Sequence, residues 1–269
     1  MARYGDALLV TGEHMRCQMS ELPKDVEYLG KKWELVDDNK KFRFTCDQCG
    51  KCCKKVEVMI NPYDIARISD YLKINSAEFV NTYCKIHIGD SSKLPVLTLK
   101  TDPICNFNKG GLCMIYDARP AICRSFPVGR AQVYDKETKE IKEKWMLNPN
   151  CSSIPLRQQK EWTIKEWIED QKVKECYDGS GEWHKFITEL CEKKLVREDD
   201  MFRNLFVIVC YMSVGDTKVI LGLKEMLEEF GIKECPTFND AETIKDKVDN
   251  AIALARWLFI TTKEMEVTE

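Results

Sequence analysis

The sequence predicts a mainly α fold in which a small irregular α+β cysteine-rich domain is followed by an α-helical bundle. Three observations predict it. Cys46, Cys49, Cys52 and Cys53 fall within eight residues, and Cys105, Cys113, Cys123 and Cys151 follow among prolines and glycines that interrupt regular structure. Strand-like alternation is confined to short runs such as 94–100. From residue 154 onward, apolar residues recur at helical spacing behind side chains that cap helices.

With 269 residues, 44% apolar and 10% aromatic, the chain can bury a core and form one or two domains. A net charge of -3 with no basic tail gives no ground for a nucleic-acid or membrane-surface partner. The longest apolar run, 205–212, is far short of the roughly 20 residues that a membrane-spanning helix needs. Residues 1–30 lack the basic start and continuous apolar stretch of a signal peptide, so a cytoplasmic location is expected. In that reducing compartment, fourteen cysteines read as metal ligands or redox groups rather than as disulfides.

Residues 1–40 read as an N-terminal strap. Short strands are expected at 7–10 and 28–36, between the breakers Gly5, Gly12, Pro23 and Gly30; His14 and Cys17 read as incidental. Residues 41–155 are expected to form a metal-binding domain. The C-x-x-C-x-x-C spacing of Cys46, Cys49 and Cys52 lets three thiolates converge from a tight turn, with Gly50 giving the backbone freedom to wrap closely. Ferredoxin-type 4Fe-4S runs use this spacing and take a fourth ligand from elsewhere. Neighbouring side chains diverge, so Cys52 and Cys53 do not easily grip one ion. Either one of them supports a ligand, or the two serve adjacent centres. The eight thiols of this region would suffice for two four-ligand sites. Lys40, Lys41, Arg43, Lys51, Lys54 and Lys55 face a single acid here, Asp47. Those cations would offset the charge of about minus two on a four-thiolate zinc or an oxidised 4Fe-4S centre, although a solvated basic face would look the same.

Asn61-Pro62-Tyr63-Asp64 opens a helix with Ile65, Ile68 and Leu72 on one face, and Ser76 is read as the cap of a second. Cys84 ends that helix as a packing residue, and His87 is read as structural. The strand at 94–100 delivers the chain to Cys105, and Asn108-Lys109-Gly110-Gly111 turns it toward Cys113. Pro120 and Pro127 are expected to hold the next segment out of regular structure. Arg119 and Arg124, the candidate cofactor-binding residues, could donate to cluster sulfur or to backbone carbonyls. A hairpin at 132–134 and 141–146 precedes Cys151.

The order Cys46-x2-Cys49-x2-Cys52-Cys53, Cys105, Cys113-x-Ile115-Tyr116-x2-Arg119-Pro120-x2-Cys123-Arg124-x-Phe126-Pro127 and Cys151 closely resembles the YkgJ-type cysteine-cluster (CxxCxxCC) family, described as zinc- or iron-chelating, over roughly residues 42–155. The resemblance implies metal binding. Cys151 departs from it, being followed by Ser152-Ser153 where the family often has Pro-Gly. A related cysteine segment occurs in proteins that resemble flagellin lysine N-methylases, but no glycine-rich nucleotide loop accompanies it here. Structural zinc sites usually use paired C-x-x-C hooks or histidines. A triple run with only three scattered histidines favours iron-sulfur.

Residues 156–269 read as a bundle of four or five helices. Thr163-x-x-Glu166 is a capping box. Residues 180–195 bring Trp183, Phe186, Ile187 and Leu190 to one face, and 202–212 is apolar nearly all round with Cys210 in the core. A helix over 216–230 stops at Gly231, and Asn239-x-x-Glu242 opens the last one. Cys176, Cys191, Cys235 and His184 carry no expected ligand role. Residues 225–250, with eight acids against three lysines, form a solvated face or a docking surface for a basic partner. Three functional classes remain: an accessory or electron-transfer protein with one or two 4Fe-4S clusters acting on a protein partner, a zinc-stabilised interaction module, or a cluster-dependent group-transfer enzyme. No catalytic constellation can be assembled from the residues, so whether the chain is an enzyme stays open.

Overall fold

In the computed structural model the described residues are 25–28, 31–46, 50–54, 57–90, 92–134, 141–148, 155–229, 236–238 and 241–262. Helices predominate over short strands, and the described chain divides into two units, each discontinuous in sequence. None of the described helices is long and apolar enough to cross a membrane.

The first unit comprises Met1–Cys52, Gly110–Leu112 and Ala121–Lys174. Its main sheet has four antiparallel strands, in the order Asp25–Tyr28, Lys31–Val36, Ile141–Leu147, Val128–Tyr134. The hairpin expected at 132–134 and 141–146 is therefore the outer half of a longer ladder, running from Ile141 opposite Tyr134 to Leu147 opposite Val128. Lys41–Arg43 pairs separately with Glu161–Thr163. Thr163 closes that strand and caps the helix Ile164–Asp170: its hydroxyl accepts from the Glu166 N–H, and the Glu166 carboxylate accepts in return from the Thr163 N–H. Trp167 on this helix meets Phe42, Phe44 and Trp162 edge-to-face, at centroid distances of 6.2, 5.3 and 5.2 Å.

The second unit comprises Cys53–Lys109, Cys113–Pro120 and Glu175–Glu269. Its centre is Pro95–Leu99, buried along its whole length between Met59–Ile60 and Cys84–Ile88. A strand covered on both faces has no reason to alternate, which is why this one reads Pro-Val-Leu-Thr-Leu. Asn61 caps the helix Pro62–Leu72 by accepting from the Asp64 N–H at 2.9 Å. The next helix, Ser76–Tyr83, is capped by Asn75 rather than Ser76; the Ser76 hydroxyl instead donates to the Val214 carbonyl. Gly215, at φ 79, lies against Ala66, where a Cβ would come within 3.4 Å of the alanine methyl.

The helices Gly181–Glu192, Asp200–Val207, Thr217–Glu229 and Ile244–Arg256 complete this unit. Trp183, Phe186, Phe206 and Phe259 pack as one aromatic cluster, and the Tyr211 hydroxyl ties it to the sheet by donating to the Pro95 carbonyl at 3.0 Å. The apolar stretch expected at 202–212 is helical but widens into a π-turn at Ile208–Met212. There Cys210 is fully buried while Ile208 is 40% exposed, so the helix is not covered all round. The last helix, Ile244–Arg256, is opened by a Thr243–Asp246 capping box. The calls on 7–10, His14, Cys17, Gly231, Cys235 and Asn239 fall outside the described residues.

Candidate metal centre

In the second unit, Cys53, Cys105 and Cys113 come from three separate points of the chain. The N–H of Cys105 donates to the Cys53 carbonyl at 2.7 Å, fastening the second cysteine group to the double cysteine of the first. Beyond Cys105, the Asn106 N–H donates to the Lys100 carbonyl, and Phe107 is buried with its ring 4.7 Å from Tyr83 and 6.4 Å from Phe79. The chain then reverses through Gly110 and Gly111, both at positive φ, and the Met114 N–H returns to the Phe107 carbonyl at 2.9 Å. The aromatic stack therefore anchors the loop that carries two of the thiols.

Arg67 holds the following turn in place. Its guanidinium donates to the carbonyls of Asp117 and Arg119 and to the Cys176 sulfur, and it pairs with buried Asp64 at 3.8 Å. The Asn108 N–H donates to the Cys105 carbonyl at 2.9 Å, and the backbone N–H groups of Phe107 and Asn108 near Cys105, and of Ile115 near Cys113, favour the thiolate forms. Burial pushes both thiols up; these N–H groups oppose the rise at both sulfurs, as does the nearby Arg119 at Cys113, while neighbouring Cys53 adds to it. Half-buried sulfurs that repel one another as anions, with backbone N–H groups nearby, suit a bound cation, which removes the repulsion.

The thiols of the first unit are held differently. Phe44 and Thr45 lead to exposed Cys46: the Phe44 N–H donates to the Lys160 carbonyl, and the Trp162 indole to the Phe44 carbonyl. Gly50, at φ 67, then turns the chain into the single turn Lys51–Cys53. Cys123 lies on the short helix Ala121–Ser125, which replaces the irregular loop expected between Pro120 and Pro127. Trp167 serves both segments, packing on Phe44 and donating through its indole to the Ser125 carbonyl at 2.7 Å. Cys49 and Cys151 lie outside the described residues. Among the described residues, no three His, Cys, Asp or Glu side chains lie close enough together to hold a metal ion.

Residues 45–152 match the family model CxxCxxCC, described as "Putative zinc- or iron-chelating domain". Over this segment, about two fifths of the chain, the sequence is similar to that domain. All eight candidate thiols lie within this match, with Cys46 and Cys151 each one residue from an end. No curated protein and no solved structure matches the chain.

Within the matched residues the two candidate arginines differ. The Arg119 guanidinium covers the Tyr116 ring at 3.6 Å, donates to the Tyr116 carbonyl and lies close enough to Cys113 to favour its thiolate. Arg124 is buried and donates to the Gln171 carbonyl at 3.0 Å, where the helix Ile164–Asp170 ends. Of the cysteines without an expected ligand role, Cys84, Cys176 and Cys210 are buried and Cys191 is half-buried. Arg67 and Trp167 organise the thiol-bearing turns, although neither belongs to the cysteine pattern. Arg67 gave no signal beyond its place three residues after Asp64 in a helix, and Trp167 read only as one apolar position behind a capping box.

Proposed function

We propose that this chain is an iron-sulfur accessory or electron-transfer protein that holds 4Fe-4S centres and acts on a protein partner in the cytoplasm. The observation that carries the reading is the bond from the Cys105 N–H to the Cys53 carbonyl, with the Cys113 thiol near enough to influence Cys105 and to be influenced by Cys53. The passage from one unit to the other between Cys52 and Cys53 supports two centres. Cys53, Cys105 and Cys113 form the core of one; the Cys46, Cys49 and Cys52 run forms the core of the other. All-thiolate donors with no histidine among them suit iron-sulfur chemistry. Met114 and Tyr116, 53% and 48% exposed on either side of Ile115, give the Cys113 turn an apolar rim for a partner to cover.

The test is reconstitution with iron and sulfide under exclusion of oxygen, followed by visible and electron paramagnetic resonance spectra. Cluster absorption that falls in Cys105→Ser and Cys113→Ser but persists in Cys191→Ser supports the assignment. Equal spectra in all three variants refute it, and stoichiometric zinc without sulfide replaces it with a zinc-stabilised interaction module.

A further inference from the structure

The strand Cys84–Ile88 forms one edge of the three-stranded sheet, and among the described residues no strand pairs with its outer side. The ladder shows which backbone groups face outward. The Lys100 N–H donates to the Tyr83 carbonyl, and the Gly89 N–H to the Leu94 carbonyl. Lys85 opposite Thr98 and His87 opposite Val96 stand in phase with those bonds. In an antiparallel ladder Lys85 and His87 therefore direct their N–H and C=O groups to Pro95–Leu99, while those of Ile86 and Ile88 point away from the sheet. The side chains of Ile86 and Ile88 are 47% and 37% exposed. An apolar edge with open backbone groups is a template for one more strand.

The side chains at this edge select the strand. Lys85 and His87 share one face, Ile86 and Ile88 the other, and all four are exposed. An antiparallel second copy of the same edge would set the basic residues against one another, because outward-bonding residues pair only with outward-bonding residues. The complementary pattern is an alternation of apolar residues and acids, and this chain carries it as Glu264-Met265-Glu266-Val267. With Met265 opposite Ile86, Glu264 and Glu266 fall opposite Lys85 and His87, which joins apolar to apolar and acid to base. The edge is within reach. Phe259 packs on Phe206 at 5.6 Å and Phe206 on Tyr211 at 6.0 Å; the Tyr211 hydroxyl donates to the Pro95 carbonyl, and Pro95 stands opposite Ile88. Residues 263–269 lie outside the described residues; seven extended residues span roughly 23 Å. We propose that residues 264–267 add to the outer side of Cys84–Ile88 as a fourth strand, bonded through the backbone of Ile86 and Ile88. None of the candidate metal thiols takes part, so this inference stands or falls independently of the metal centre.

The test is hydrogen exchange of the full chain, followed amide by amide by NMR. The Lys85 and His87 amides bond inside the sheet and serve as the reference. The Ile86 and Ile88 amides are expected to be protected in the full chain. In a chain ended at Thr262 they should exchange at least about tenfold faster, while Lys85 and His87 keep their rates. The double variant Glu264→Lys/Glu266→Lys should speed the same two amides without shortening the chain, and adding Lys85→Glu to it should restore part of the protection. Unprotected Ile86 and Ile88 amides in the full chain, or rates unchanged by ending the chain at Thr262, overturn the proposal. Protection that fades on dilution, with a dimer in light scattering, assigns the added strand to a second copy and overturns it as well.

Discussion

The backbone N–H of Cys105 donates to the carbonyl of Cys53 at 2.7 Å, across a sequence separation that includes two helices and the whole three-stranded sheet of the second unit. This bond joins main chain to main chain, so it does not depend on the thiols it brings near each other. Replacing Cys105 by serine should leave the fold intact and remove a sulfur. The midpoint of urea unfolding of the metal-free Cys105→Ser protein should match that of the native protein, while its metal content falls. A large loss of stability without metal would show that the thiol itself packs the loop.

Arg67 gathers the carbonyls of Asp117 and Arg119 onto the helix Pro62–Leu72 and neutralises buried Asp64. Arg67→Met keeps most of the volume but strands the carboxylate. The expected cost is about 3 kcal/mol in urea unfolding. The double variant Arg67→Met/Asp64→Leu, which removes both charges, should recover much of it.

Trp167 is the fastening shared by the segments that bear Cys46 and Cys123. Trp167→Ala is expected to lower stability by roughly 3–5 kcal/mol. Trp167→Phe should cost less, because it keeps part of the packing and loses only the bond to Ser125. Thermal or urea unfolding of the two variants distinguishes them.

Burial in the second unit raises the Cys84 thiol from 9.0 to about 12. The folded protein then holds this proton more tightly than the unfolded chain does. The resulting contribution to stability is complete below pH 9 and is lost progressively as pH rises toward about 12. Cys84→Val should flatten the alkaline limb of stability against pH. The native Cys84 should also be among the last thiols to react with an alkylating reagent at pH 8, as mass spectrometry of the labelled peptides would register.

Glu166, held low by hydrogen bonds from the Thr163 N–H and hydroxyl, works in the opposite direction. Its contribution is present above the ordinary carboxylate range and is lost as pH falls through its depressed value. Thr163→Ala should therefore destabilise the protein at neutral pH and weaken its dependence on acid between those two values. Denaturant midpoints measured across the acid range test this.

Local signals in the sequence were reliable where one residue does one job. Asn61 before Pro62, the Thr163–Glu166 box and the strand at Pro95–Leu99 are all legible because cap chemistry and continuous apolar character act over a few residues. The cap at Asn75 was misplaced by one residue because Ser76 is an equally good capping type, and only tertiary packing sends its hydroxyl to Val214. The helix between Pro120 and Pro127 was missed because both prolines lie outside it and leave five residues free to coil. The cysteine spacing and the family resemblance both pointed to metal. Neither could indicate that Arg67 and Trp167 hold the thiol-bearing turns, since those contacts span 42 to 123 residues of sequence and follow no period.

The most direct test of the central claim is the iron, zinc and acid-labile sulfide content of protein purified without oxygen, read together with its visible spectrum. The account predicts iron and sulfide in equal amounts, about four of each per chain for every cubane formed, with broad absorption near roughly 400 nm. One or two zinc ions per chain, with no sulfide and no colour, would contradict it.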